Sequence, residues 1–189
     1  TGSATYYVAA NQGTTTLSGL GLGTSSIPET TGASAERGIV FTATSAFTLV
    51  SAQYYSPTTS VTNTVTVRLV DNVTGTQVGS SLTLPIVQTV ADWYTMNLNL
   101  NITPGTYRLL ASFTSSVNRT AAGVNYASAP YNYLAGVGSI TSGYDGAVTS
   151  TSYNYFHNIS IISTCESART PVTVTVTTPP TLSITPDGA

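Results

Sequence analysis

The chain has 189 residues, and only 6% of them are charged, against about 25% in an ordinary globular domain. It contains no lysine, carries a formal net charge of −2, and includes 36 threonines and 23 serines. Five scattered arginines cannot cover a phosphate backbone, which argues against nucleic-acid binding. No run of 18 apolar residues occurs, so the sequence predicts no membrane-spanning helix.

The abundant residue types favour strands. Thr, Val, Tyr and Ile fit pleated, half-buried surfaces, whereas the residues that build helices are scarce. Hydrophobic residues make up 41% of the chain, which is enough for a packed core. The sequence therefore predicts an all-β protein, a jelly-roll or Ig-like antiparallel β-sandwich with long loops rich in Gly, Ser and Thr.

Strand patterns recur along the chain at the spacing expected of such a sandwich. The predicted strands are Ala4–Ala9, Gly38–Ala43, Phe47–Tyr55, Asn63–Asp71, Thr76–Val87, Trp93–Ile102, Thr106–Ser115 and Tyr153–Ile162. Residues 11–38 are predicted to form a long loop with one short strand at most, and residues 117–152 a second loop-rich region. About ten strands are expected in all.

Two turns are predicted from their residue types. Asp71–Gly75 has the Asn and Gly that tolerate positive φ, so it predicts a hairpin. Pro104-Gly105 separates two alternating segments, which predicts an antiparallel pair between Trp93–Ile102 and Thr106–Ser115. The inward rows of these segments are expected to be Tyr94, Met96, Leu98, Leu100 and Ile102 in the first, and Tyr107, Leu109, Ala111 and Phe113 in the second.

The single cysteine, Cys165, cannot form an internal disulfide. After it the composition of the chain changes to alternating Val and Thr followed by prolines. Residues 1–169 are predicted to form the sandwich domain, and residues 170–189 a terminal strand followed by a Thr/Pro linker. Two alternatives stay open for this tail: the start of a following Ig-like domain, or a strand donated to a neighbour. The candidate assembly strand has an apolar row with no charge to block pairing: Val172, Val174 and Val176.

The sequence resembles a family once its segments are taken in order. Gly38–Ala43, Phe47–Ser51, Thr103–Tyr107 and above all the closing Cys165-Glu166-Ser167-Ala168-Arg169-Thr170-Pro171-Val172 resemble a β-sandwich module of large surface proteins of Bacteroidota. Those proteins leave the cell by type IX secretion. The resemblance implies an extracellular, cell-surface, non-catalytic module with a role in adhesion or as a spacer. Its partners would be neighbouring domains or identical subunits. The first residue is not Met, which fits a segment excised from an exported protein.

Motifs for catalysis are not apparent. Without lysine there is no P-loop, no Schiff base and no Lys–Asn isopeptide crosslink. The single histidine, His157, is predicted to lie in the core or at its rim. Gly19–Gly23 is expected to be a loop, because no helical pattern follows it to hold a phosphate. The seven acidic residues specify no catalytic pair, so the chain is predicted not to be an enzyme, and no cofactor is expected.

Two binding hypotheses remain. A structural calcium ion would use Asp145 or Glu36 together with backbone carbonyls. A carbohydrate site would use aromatic faces beside amide and carboxylate groups; its candidate residues are Tyr131, Tyr133, Tyr144, Trp93, Asn132 and Asp145. The alternative for these tyrosines is that they brace long loops with their hydroxyl groups.

Overall fold

The computed structural model describes residues 2–8, 11–21, 29–31, 36–119, 123–146, 151–166 and 170–176, and side-chain environments within 16–21, 36–119, 123–146 and 151–163. All regular structure in these residues is β-strand. The strands are β1 (Gly2–Val8), β2 (Asn11–Leu20), β3 (Glu29–Thr31), β4 (Arg37–Ala43), β5 (Phe47–Ser56), β6 (Val61–Asp71), β7 (Gln77–Gln88), β8 (Asp92–Ile102), β9 (Gly105–Phe113), β10 (Val117–Arg119), β11 (Gly138–Tyr144), β12 (His157–Glu166) and β13 (Thr170–Val176).

Two antiparallel sheets form a β-sandwich, as the sequence predicts. One sheet has five strands in the order β11-β4-β9-β6-β7, and the other has four in the order β2-β12-β5-β8. The chain changes sheet between β4 and β5, between β5 and β6, and again on each side of β8. Consecutive segments therefore face each other across the core more often than they pair.

The core is one cluster between the inward faces of the two sheets. Ile39 and Phe41 of β4 alternate with outward residues, as do Val65, Val67 and Leu69 of β6. The four-stranded sheet contributes side chains such as Met96 and Leu98 of β8 to the same core. Aromatic side chains join the sheets directly: the Phe113 ring lies 4.9 Å from that of Tyr54 and 4.8 Å from that of Tyr155.

The structure divides into two compact units. Residues 14–164 form the sandwich unit, and residues 1–13 with 165–189 form the other. In the second unit β1 and β13 pair antiparallel over seven residues each, from Gly2 opposite Val176 to Val8 opposite Thr170. The tail strand is thus paired within the same chain, whereas the linker after residue 176 and the stretch 181–184 lie outside the described residues.

The prediction of a long loop over residues 11–38 was wrong. Asn11–Leu20 is a ten-residue strand beside β12, and Glu29–Thr31 is a short strand paired with β10. Glycines at 13 and 19 obscured the β-branched run Thr14–Thr16 between them. Pairing within a sheet overrides such local signals, because strand propensity depends on the neighbours.

The prediction that Trp93–Ile102 pairs with Thr106–Ser115 was also wrong. β8 pairs with β5, and β9 lies between β4 and β6 in the other sheet. Both inward rows are nevertheless largely buried as expected. A two-residue turn can equally end a strand in one sheet and start the next strand in the other, and alternation alone does not distinguish the two.

The last core strand starts later than predicted. β12 begins at His157, because Tyr155 has a left-handed backbone (φ 65°) and Asn154 turns its amide to the carbonyl groups of Gly38 and Tyr144. The hairpin at Asp71–Gly75 is confirmed. Its Gly75 has φ 72°, and the Asp71 carboxylate accepts hydrogen bonds from the backbone of Thr74 at 2.7 Å.

Candidate functional site

The tyrosine loop, defined here as residues 125–139, is held by its own backbone. The Tyr133 N–H donates to the Pro130 carbonyl at 3.2 Å, and the Ile140 N–H donates to the Asn132 carbonyl at 3.1 Å. Tyr133 also forms an isolated bridge with Ser139. The loop is anchored by Leu134 and Val137, whose side chains are buried in the core. These contacts give the loop a defined shape despite its few strand residues.

This loop presents its aromatic groups unequally. Tyr133 is 53% exposed, whereas Tyr131 and Asn132 are half-buried and Tyr131 packs against the core. Tyr126 is a brace: its hydroxyl donates to the Ser152 carbonyl at 2.9 Å, and its ring stacks on that of Tyr153. Tyr126, which was not among the candidate residues, thus braces the loop, and Tyr133 has the most exposed ring of the loop tyrosines.

Tyr144 and Asp145 lie together at the end of β11. The guanidinium group of Arg108, on β9, lies 5.4 Å from the centre of the Tyr144 ring, within the range of a cation–π contact. Asp145 is bound by two arginines from other strands: Arg37 on β4 donates to one carboxylate oxygen, and Arg119 on β10 donates to the other at 2.5 Å. We call Arg37, Arg119 and Asp145 the Asp145 cluster.

The Asp145 cluster sets the charge state of its carboxyl group. Burial opposes ionisation, but the hydrogen bonds from Arg37 and Arg119 outweigh it and hold the pKa of Asp145 below its ordinary value. The pKa of Arg37 is raised: burial works against this, and the bond to Asp145 overcomes it. The cluster is therefore a fixed ion triad that joins β4, β10 and the end of β11, and the sequence alone could not reveal it because its members are far apart in the chain.

Both carboxylates of the calcium hypothesis are held by arginine. Glu36 makes a bidentate pair with Arg68, with its two oxygens 2.7 and 2.6 Å from the Nε and Nη2 atoms. Asp145 is held as described above. Within the described residues, no three His, Cys, Asp or Glu side chains come together. A calcium ion at Asp145 or Glu36 would first have to displace a guanidinium group.

Trp93 lies in a different aromatic group from the tyrosine loop residues predicted with it. Its ring packs edge-on against Tyr55 at 5.5 Å and against His157 at 5.0 Å. His157 is buried, as predicted, and its ring lies 5.1 Å from that of Tyr153. Among the described side chains, no ring contact joins Trp93 to Tyr131, Tyr133 or Tyr144. The contiguous exposed part of the predicted carbohydrate site is thus the Tyr131–Tyr133 segment.

Polar side chains concentrate at the places where the chain crosses between sheets. Buried Gln88, at the end of β7, accepts hydrogen bonds from Ser56 Oγ at 2.8 Å and Thr58 Oγ1 at 2.9 Å, and donates to the Tyr54 hydroxyl at 2.7 Å. The Tyr94 hydroxyl donates to the Val90 carbonyl at 2.6 Å. It also accepts from the Val90 and Thr89 backbone N–H groups, at 3.2 and 3.0 Å.

Asn63 plays the same part where β9 ends. Its buried side-chain oxygen accepts hydrogen bonds from the backbone N–H groups of Thr114 at 3.0 Å and Ser115 at 3.1 Å. Like Gln88, it gave no sequence signal, because a buried amide in an alternating strand has the same pattern as an exposed one.

Comparisons with known proteins give little further guidance. No family model and no curated protein matches the chain. A chain of the T13 IBDV viral particle is similar over 83% of this chain and 39% of its own length, at 12% identity and a TM-score of 0.32. A chain of the infectious bursal disease virus Gx strain is similar over 90% of this chain and 38% of its own, at 13% identity and a TM-score of 0.24. The chain therefore spans about two fifths of these virus proteins, and the likeness is too low to support an argument. Among the described residues, no helix is long and apolar enough to cross a membrane.

Proposed function

We propose that this chain is a non-catalytic structural or adhesive module of an extracellular bacterial surface protein or filament. The observation that carries the proposal is that the polar side chains described above are bonded to other parts of the same fold. Gln88, Asn63 and Tyr94 fasten the sheet crossings, and the Asp145 cluster fastens the loop end. Low charge and the resemblance to secreted Bacteroidota modules support the extracellular, type IX-secreted part of the proposal.

Assembly by exchange of the C-terminal strand is part of this proposal. In the described residues β1 and β13 form a two-stranded sheet, and the pairing of two strands contributes little stability by itself. Replacing β13 by the same segment of a neighbour would restore all seven residue pairs, so exchange would cost little. A chain of such exchanges would build a filament.

Truncation tests this role. Native surface material should appear as filaments by electron microscopy, and purified full-length chain should associate at high concentration. Deleting residues 170–189 should abolish filaments and stop assembly at the dimer or the monomer, and a milder variant, Val174→Glu, should weaken filament growth, whereas Val174→Thr should not. Filaments that survive the deletion, or a full-length chain that forms none at any concentration, would contradict the exchange.

A carbohydrate-binding module is the second candidate, and the exposed ring of Tyr133 on its hydrogen-bonded loop favours it. A sugar ring could stack on this face while the neighbouring amide Asn132 binds a hydroxyl group. A glycan array probed with the folded chain tests the idea. Tyr133→Ala should abolish any binding, and Val73→Ala, which alters another exposed side chain, should leave it unchanged. Binding that is equal in both variants, or absent from every glycan, rejects this candidate.

A further inference from the structure

The strand β7 is an open edge of the five-stranded sheet. It pairs with β6 on one side, and no described strand pairs with its other side. At twelve residues it is the longest strand in the described structure; its segment Leu82–Gln88 pairs with β6 in unbroken register, and an irregularity between Val78 and Leu82 interrupts the ladder. A long edge strand presents a row of backbone donors and acceptors that can pair with another chain unless charge, proline or a bulge blocks it.

Exposed apolar side chains gather at this edge. The five large hydrophobic residues that the described structure exposes are Val73, Val78, Val87, Val90 and Tyr133. Two of the valines belong to β7, and the other two lie in the turns that flank it. Val87 is 68% exposed near the end of the strand. Val78 and Val87 lie on β7 itself, so a strand that pairs with β7 would run alongside them, whereas Val73 and Val90 lie outside the strand.

The same segment carries no charge. Residues 72–91 contain neither an acidic nor a basic side chain, and Asp71 and Asp92 lie just outside them. Charged side chains, especially lysine, are one of the devices by which natural edge strands avoid pairing, and this segment has none. A strongly charged partner would find no opposite charge on this segment with which to form ion pairs. Two identical uncharged segments, in contrast, can meet without electrostatic repulsion.

Pro85 shows which backbone groups face the open side. Its partner across the ladder is Thr64, whose N–H donates to the Thr114 hydroxyl and whose carbonyl accepts from the Thr114 N–H, so both groups of Thr64 point toward β9. The pair Thr64–Pro85 therefore exchanges no hydrogen bonds, and the nitrogen of Pro85 faces the open edge. The residues two positions away, Thr83 and Val87, turn their N–H and carbonyl groups the same way.

We propose that β7 is a self-association surface, on which β7 of a second copy of this chain pairs antiparallel about a twofold axis. In such a pair, if residue i of one copy lies opposite residue j of the other, then j lies opposite i, so both copies present the same uncharged segment to each other. Pro85 removes one donor on each side and leaves its carbonyl as an acceptor. This interface is separate from the exchange of β13 and does not depend on it.

Sedimentation velocity of the full-length chain over a concentration series tests this interface, and each variant is also measured with Val174→Glu, which weakens strand exchange. The chain should form dimers, and Val87→Lys should weaken dimerisation by roughly tenfold or more, because it brings a charged side chain into an uncharged edge. Two matched controls, Val87→Thr and Val73→Lys, should change it little. A monomer at every concentration, or equal weakening by Val87→Lys and Val73→Lys, would overturn the proposal.

Amide exchange keeps the test independent of the variants. In the unmodified chain, exchange at the Thr83 and Val87 N–H groups should slow as concentration rises, since these groups face the second copy. Exchange at these two amides that stays fast while dimers form would place the interface elsewhere and refute the assignment to β7.

Discussion

At the scale of single residues, one glycine shows how closely the backbones of the five-stranded sheet approach. Gly38 lies in β4 opposite Leu110 of β9. A methyl group at this position would overlap the carbonyl oxygen of Leu109. Only glycine fits, because the obstacle is backbone and cannot move aside without breaking the ladder.

Gly38→Ala should therefore destabilise the fold by about 3 kcal/mol or more, and the variant is expected to fold poorly. Gly136→Ala is the control: its φ of 80° strains any side chain, but nothing lies near the added methyl group. The control should cost about 1 kcal/mol. Urea unfolding of both proteins measures the difference, and equal costs would show that the approach at Gly38 is looser than described.

Asp145 offers a test by pH. Its folded-state pKa is lowered, so its contribution to stability is complete above the ordinary value of 3.8 and is lost as the pH falls through the folded-state pKa. Asp145→Asn should cost about 1–2 kcal/mol near neutral pH and progressively less below about pH 4. Asp92→Asn, at an exposed carboxylate that has no arginine partner among the described residues, should show a smaller cost. If the difference in free energy of unfolding between Asp145→Asn and the unmodified chain stays constant down to pH 2, the ion triad is contradicted.

At the scale of the elements, the crossing from β7 to β8 depends on one tyrosine hydroxyl. Tyr94 holds the backbone of Thr89 and Val90 with three hydrogen bonds, four and five residues upstream. This arrangement resembles the tyrosine corner of β-sandwich domains, in which a hydroxyl group fixes the chain where it passes between sheets. It also sets where β7 ends and hence the length of the open edge.

Tyr94→Phe should lower the free energy of unfolding by about 0.5–1.5 kcal/mol, because two backbone donors and one carbonyl exchange the tyrosine hydroxyl for water while the ring remains. Chemical denaturation measures the loss. Tyr133→Phe is the control, since no side-chain hydrogen bond involves its hydroxyl among the described residues, and it should change stability by less than about 0.5 kcal/mol. Equal effects of the two substitutions would show that the corner contributes nothing.

The elements also show what the sequence could reveal. The alternation of apolar and polar residues predicted the bounds of β4 to β9 within one or two residues, because each of these strands buries one face. The residue types of Asp71–Gly75 predicted the turn between β6 and β7. Alternation does not determine which strands pair with each other, so the prediction that β8 and β9 lie in one sheet was wrong. Glycines in β2 hid a strand that is stabilised by pairing. The Asp145 cluster and the Gln88 network join residues distant in the chain, and only the fold brings them together.

At the scale of the whole molecule, the burial of tyrosines links stability to alkaline pH. Burial raises the pKa of Tyr54 to about 12, although the hydrogen bond from Gln88 opposes this. Because the folded-state pKa lies above the ordinary value of 10.0, the stabilisation is complete below about pH 10 and is lost as the pH rises toward 12.

Tyr54→Phe should cost about 1–2 kcal/mol at pH 7, since the buried Gln88 amide loses its acceptor. That cost should shrink above about pH 10, where the unmodified chain is penalised by tyrosine ionisation in its unfolded state. Urea unfolding of both proteins at several pH values measures the cost of the substitution at neutral and at alkaline pH. A cost that is the same at pH 7 and pH 11 would show that Tyr54 ionises as easily in the folded protein as in the unfolded chain.

The placement of the tyrosine loop, the open β7 edge and the crossing at Tyr94 all depend on β8 and β9 lying in opposite sheets. Cross-strand proton contacts by nuclear magnetic resonance test this most directly. The structure predicts backbone contacts between Thr95 and Gln53 and between Leu100 and Leu49, which are register partners in β8 and β5. A continuous ladder of backbone contacts between β8 and β9 across Pro104-Gly105 would contradict it.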